Sequence, residues 1–384
     1  MFSRKELVLQ VVGFVILAIL AMSLAFSQDL VVGQVSSQTS PVTAMNAKGL
    51  YAGINVYFEH TNAQGGVNGR KVRLVNKDDQ LAQGRMIEQT KEFVADKSVI
   101  ALIAYQNTAG ITELAKSGVV GDSRIALIAP FQGDKSIVSA EGFYPFRSGY
   151  PDEVAAMIKE AAFQQKKRLV IVYQSATFGP SMLKLAKELA AKEKLNNVAE
   201  IMVETAVADK VEASVNAGGS AVANADPDAI LLLMGGRAAP MTVGAIKNSS
   251  AQDAQLYGMS ILPSAEVYKA AGDKARGIVI TQAVPFPYSA TLPLVSQYQK
   301  LMKQYAPNEP LSFTTLEGFI AGKITVEAIK RAGNNPTREK VIKALNGMGQ
   351  YDLGGISVDY SPKSRNGWGS VDLTVIGANG RLLR

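Results

Sequence analysis

Residues Gly53–Asp79 read GINVYFEHTNAQGGVNGRKVRLVNKDD. Ile54, Val56 and Phe58 form an apolar set on a helix that closes at Asn62-Ala63-Gln64-Gly65-Gly66. A glycine there can take the left-handed conformation that ends helices. Asn68-Gly69 then makes a tight turn. Lys71-Val72-Arg73-Leu74-Val75 alternates polar and apolar side chains, the period of a strand, and Asp78-Asp79 stands where that strand leaves its sheet. Helix, glycine turn, strand and acidic strand end make one layer of an α/β fold.

The same unit repeats outward from this stretch. Leu30–Val35 reads as a first strand before helix Ala44–His60. Strand Val72–Asn76 leads to helix Leu81–Ala95, strand Ile100–Ala104 to helix Ile111–Ser117, and strand Ile125–Ala129 stops at Pro130. Alternation resumes with helix Asp152–Gln164, strand Leu169–Tyr173, helix Pro180–Lys194, strand Glu200–Glu204, helix Val211–Asn224, strand Ala229–Met234 and helix Pro240–Asn248. Uninterrupted apolar runs such as Ile230-Leu231-Leu232-Leu233 belong to parallel strands covered on both faces. Repeated strand–helix units predict doubly wound sheets.

Two stretches interrupt the pattern. Phe143–Pro151, rich in aromatic, glycine and proline residues, reads as a first crossover between two lobes, and Val284-Pro285-Phe286-Pro287-Tyr288 as a second. Helices Leu292–Tyr305, Leu311–Ala332 and Arg338–Asn346 follow, the last capped by Thr337. The chain then turns to β structure at Gly354–Asp359 and Val371–Ile376. Two lobes joined by several crossings can hinge around a cleft.

The N-terminus reads as a cleaved secretory signal over residues 1–27: Arg4 and Lys5, an apolar run from Leu7 to Ala25, and small residues offering cleavage after Ala25 or Ser27. The chain has no cysteine, so an exported form gains nothing from disulfides and depends on a large core. The formal net charge is +7, and removal of residues 1–27 takes away Arg4, Lys5 and Glu6, leaving the remainder mildly basic. The basic runs, Lys166-Lys167-Arg168 and Lys184, Lys187, Lys192 and Lys194, lack interleaved aromatics, and the second lies among acids at helical spacing, so no nucleic-acid partner is expected.

Enzymatic chemistry finds little support. His60 is the one histidine and sits near a helix C-terminus; cysteine nucleophiles are absent, and neither a GxSxG elbow nor a GxxxxGK[ST] phosphate loop occurs. No metal or cofactor is expected, and the paired acids Asp78-Asp79 suit a strand-end cap. A ligand cleft is better supported, because open α/β sheets bind ligands beyond the carboxyl ends of their strands. After the third strand, Tyr105-Gln106-Asn107-Thr108-Ala109-Gly110 places amide and hydroxyl groups before a helix start whose free N–H groups favour an anion. An ordinary cap by Asn107 or Thr108 fits the same residues, and the two readings are compatible.

Taken as a continuous string, Gly53–Asp79 resembles the first helix–strand unit of the leucine/isoleucine/valine-binding family of periplasmic solute receptors. The likeness extends over roughly Leu30–Arg384 and includes Val170–Gly179 (VIVYQSATFG), Ser312–Gly322 (SFTTLEGFIAG) and Leu353–Tyr360 (LGGISVDY) followed by VDLTVIGANGR. The resemblance implies a type 1 periplasmic-binding fold with lobes at 29–147 plus 286–352 and 148–285 plus 353–384, joined by three strands. It also implies a periplasmic non-enzyme that captures a small amino acid, amide or carboxylate and delivers it to the membrane permease of an ATP-driven importer. The alternative on the same fold is a ligand-sensing subunit of a signalling system.

By the same resemblance the ligand's carboxylate meets Tyr105, Asn107, Thr108 and Ala109, and a second loop at Phe131, Gln132 and Gly133, where Phe131 and Gln132 replace small residues. Phe178 takes an aromatic lid position without a tyrosine hydroxyl, Arg237 stands at another aromatic position, and Met45 at a first-lobe contact. Ser260 stands where amino-acid binders place an acid against the ligand's ammonium. Glu266 or Glu317 is then the candidate replacement, because a buried ammonium without a counter-charge is costly.

Overall fold

The computed structural model describes residues 28–40, 43–175, 178–205, 207–361 and 367–384; the signal segment, residues 1–27, lies outside them. The first sheet is five-stranded, in the order β2-β1-β3-β4-β5, and wholly parallel. Its strands are β1 (Leu30–Val35), β2 (Val72–Lys77), β3 (Val99–Ile103), β4 (Leu127–Ile128) and β5 (Phe143–Tyr144). Every residue of β1 and β3 is buried, as strands covered on both faces require. One face carries α1 (Ala44–Ala63), and the other carries α2 (Arg85–Ala95) and α3 (Thr108–Ser117).

The second sheet contains β6 (Arg168–Gln174), β7 (Asn196–Val203), β8 (Ala229–Leu233), β9 (Gln255–Gly258) and β10 (Val279–Gln282), all parallel. One face is covered by α4 (Tyr150–Phe163) and α5 (Gly179–Lys192). The other is covered by α6 (Val211–Ala225), α7 (Ala238–Lys247) and α8 (Ser264–Ala271). The chain then returns to the first lobe as α9 (Pro293–Tyr305), α10 (Phe313–Arg331) and α11 (Arg338–Asn346), followed by the antiparallel pair β11 (Gln350–Asp352) and β12 (Ser357–Asp359). It closes the second sheet with β13 (Asp372–Ile376) and β14 (Leu382–Leu383), both antiparallel. This is the α/β architecture of two doubly wound lobes.

Several element boundaries differ from those the sequence pattern predicts, two of them for a clear local reason. The helix expected from Leu81 begins at Arg85, because Gln80 (φ 54°), Leu81 (φ 59°) and Gly84 (φ 74°) are left-handed. Asp78 and Asp79 stabilise that turn by accepting from the N–H groups of Gln80 and Leu81. The strand expected over Ile125–Ala129 is paired only at Leu127–Ile128, and Ala129 is left-handed (φ 50°).

Residues 353–360, grouped from sequence with the second lobe, pack in the first: Leu353, Ile356, Val358 and Tyr360 join the core around α10, with Tyr360 edge-on to Tyr144 at 5.6 Å. The passage to the second sheet comes after Tyr360, along 367–371, where Trp368 N–H donates to Phe146 O at 2.8 Å. A Cβ on Gly367 would lie 1.7 Å from Phe146 O, so these two crossings touch backbone to backbone.

Candidate functional site

The loops after β1, β2 and β3 are tied together by one carboxylate. Asp79, fully buried, accepts from Ser37 Oγ and from Asn107 Nδ2, the latter at 2.9 Å. Asn107 in turn caps α3, its Oδ1 accepting from Gly110 N–H at 3.2 Å. The remaining first-turn N–H groups, those of Thr108 and Ala109, have no acceptor within the helix. Asn107 is held at φ 139°, and Ala104 is left-handed at φ 43°. Such conformations persist only where surrounding bonds over-determine them, and they concentrate at binding sites. Gln132, in the loop after β4, braces the same helix by donating to Thr108 O at 3.1 Å and to Thr112 Oγ1 at 3.3 Å.

Across from these loops stands the second sheet's side of the cleft. Tyr150, the first residue of α4, donates its N–H to Gly133 O at 2.7 Å. A Cβ at Gly133 would lie 2.6 Å from the Tyr150 ring, so glycine permits this approach of the lobes. The Tyr150 ring packs on Phe178 with centroids 4.6 Å apart. Its hydroxyl is buried beside Thr108, and burial pushes the phenol up to about 12.

Between the two halves lies Arg147, on the first crossing, with its side chain 2% exposed. Its guanidinium stacks over the Phe131 ring at 4.3 Å and donates from Nη2 to Ser260 Oγ at 2.7 Å. Nε faces Glu317 Oε1 at 3.7 Å, and among the described residues Nε and Nη1 have no hydrogen-bond partner. Glu153, fully buried on α4, accepts from Ser260 N–H at 2.7 Å, Ser260 Oγ at 2.9 Å and Thr281 Oγ1 at 2.5 Å. Glu317, on α10, is pushed up to about 7 by burial, against the opposing pull of Arg147.

Phe131, Gly133, Phe178, Ser260 and Glu317 therefore converge around Arg147 and Tyr150, while Asn107, Thr108, Ala109 and Gln132 form the adjoining helix start. Other residues singled out in the sequence stand elsewhere. Tyr105 is fully buried in the core under α2 and α3, its hydroxyl 3.3 Å from Thr90 Oγ1. Met45 is 57% exposed on the first turn of α1, Arg237 is exposed at the start of α7, and Glu266 pairs with Lys269 on the surface at 2.7 Å. His60 lies edge-on to Tyr57, and burial followed by Lys330, Lys300 and Lys323 pushes its imidazole below the ordinary value.

Sequence reasoning did not single out Arg147, Tyr150, Glu153 or Thr281. Arg147 and Tyr150 stand in a stretch legible only as a crossover, and Glu153 looks like an ordinary first-turn acid. One signal was available: a lone arginine among aromatics, glycine and prolines in a crossing has no solvated helix face to occupy.

The chain belongs to the periplasmic binding protein family, whose description matches residues 29–381. Among curated proteins it is similar to Leu/Ile/Val-binding protein homolog 1 of Brucella abortus (strain 2308), 25% identical over 363 residues that cover 90% of this chain and 91% of that one. Among solved structures it is similar to a substrate-binding periplasmic protein from Ralstonia solanacearum, at a TM-score of 0.84 and 28% identity, covering 92% of this chain and 99% of that one. A fatty acid ABC transporter substrate-binding protein from Thermomonospora curvata shares the fold at a TM-score of 0.79 and 20% identity, covering 93% and 91%.

Proposed function

We propose that this protein is the exported solute-binding component of an ATP-driven importer, closing its two lobes on a small carboxylate, amide or amino acid and presenting it to a membrane permease. The observation that carries this reading is convergence. The loops after β3 and β4 of one sheet and after β6 and β9 of the other meet on Arg147 and Tyr150, at the carboxyl ends of strands where such sheets bind ligands. The names of the relatives, a Leu/Ile/Val-binding protein homolog and a fatty acid ABC transporter substrate-binding protein, support a small amino acid or carboxylate as the ligand class.

The surroundings of Ser260 favour the acid end of that range. Ser260 is neutral, and its hydroxyl and N–H are already committed to Arg147 and Glu153; Glu317, the candidate replacement acid, faces Arg147. Carboxylates without an α-amino group are expected to bind at least as well as the matching amino acids. Native mass spectrometry of protein purified without refolding identifies a retained solute. Calorimetry with leucine against 4-methylpentanoate, and phenylalanine against 3-phenylpropanoate, then decides the class. A strong preference for the amino acid in either pair overturns the carboxylate assignment.

A further inference from the structure

We propose that Arg147 is a ligand-binding cation whose Nη1 group takes an oxygen of the ligand's carboxylate; the proposal rests on the solute-binding reading and deepens it. The guanidinium is held on three sides, by the Phe131 ring, the Ser260 hydroxyl and the Glu317 carboxyl, which leaves little freedom of orientation. Buried N–H groups without an acceptor are costly and uncommon in a folded chain. Here Nη1 has none among the described residues, although the side chain is almost wholly enclosed.

The neighbouring acids do not fill the gap. Glu153 is engaged by Ser260 and Thr281, and Glu317 stands 3.7 Å from Nε, beyond hydrogen-bond distance. Arg147 also lines a cleft of 430 Å³ with Gln132, Gly133, Ser148, Gly149 and Asp152. That volume suits a small molecule. Asp134 and Asp152 on the same wall oppose a multiply charged anion such as phosphate, whereas a carboxylate brings one charge and acceptor-only oxygens. Arg237, the cation legible in the sequence, is exposed, and a charge in water contributes less than one already desolvated.

The test uses the mature protein and a thermal-shift panel of aliphatic and phenyl-substituted monocarboxylates, each beside its primary amide, followed by calorimetry on the best pair. The wild type is expected to prefer the carboxylate. Arg147→Gln is expected to weaken carboxylate binding about 10- to 100-fold, the worth of one charge-assisted hydrogen bond, while leaving the amide nearly unchanged. Arg147→Lys, which keeps the charge but not the planar fork, falls between and carries the test if the glutamine variant does not fold. Carboxylates no better than amides in the wild type, or a preference that survives both variants, overturn the proposal and leave Nη1 to a buried water. If no panel member binds and native mass spectrometry finds a retained solute without an acid group, the solute-binding reading stands and the Arg147 assignment falls.

Discussion

Two buried glutamates within reach of the same arginine meet different fates. Glu153 receives three hydrogen bonds, two from Ser260 and one from Thr281. Glu317 loses its water to the core of α10 and holds its proton up to about 7, well above the 4.5 of an exposed glutamate. The sign of the pH dependence follows from the direction of that shift. Between about pH 4.5 and 7 the folded state binds more protons than the unfolded one, so the Glu317 contribution to stability falls as pH rises through that window. Urea unfolding at pH 5 and pH 8 should show a loss on the order of 1–3 kcal/mol traceable to this residue. Glu317→Gln should remove that part of the pH dependence; an unchanged difference between the two pH values in the variant would show that Glu317 titrates normally.

At the scale of elements, the first lobe depends on the contact between α1 and α10, whose backbones touch. A Cβ on Gly53 would lie 2.0 Å from Thr315 O, and one on Gly318 would lie 2.2 Å from Leu50 O. Glycine in mid-helix costs roughly 0.5–1 kcal/mol against alanine. The close contact offsets that cost and carries Glu317, the residue before Gly318, to the cleft. Gly53→Ala and Gly318→Ala should each destabilise by about 1–3 kcal/mol or more, because backbone cannot yield as a side chain does. Gly218→Ala on α6, where the nearest atom is a Val203 methyl at 3.3 Å, should stay near zero as better helix propensity offsets slight crowding. Chemical denaturation of the three variants reads the contrast directly, and equal effects at all three sites would refute the close-packing account.

At the scale of the molecule, two sheets with separate cores share three chain crossings, and Arg147 reaches both sides: Phe131 and Glu317 from the first lobe, Ser260 from the second. Few crossings between large rigid bodies concentrate flexing in those segments. Small-angle scattering should therefore show a smaller radius of gyration when a tight ligand is added. An identical profile at saturation would exclude closure and favour a preformed cleft.

Apolar periodicity made the fold legible. The unbroken strands Leu30–Val35 and Ala229–Leu233, the glycine turn after α1 and the cap at Thr337 are local patterns, and local physics decides them. The helix start at Asn107 was legible for the same reason, since a cap and its helix are neighbours in sequence. Local pattern does not reveal which side chains from distant segments meet. Tyr105 and Thr108 stand three residues apart, yet one points into the core and the other begins the helix facing the cleft. Arg147 with Glu153, Ser260, Thr281 and Glu317 come from four separate segments, and none carries a periodic signal of its role. Their chemistry arises only when burial removes water from all of them together, which is a property of the tertiary structure and not of any stretch of the chain.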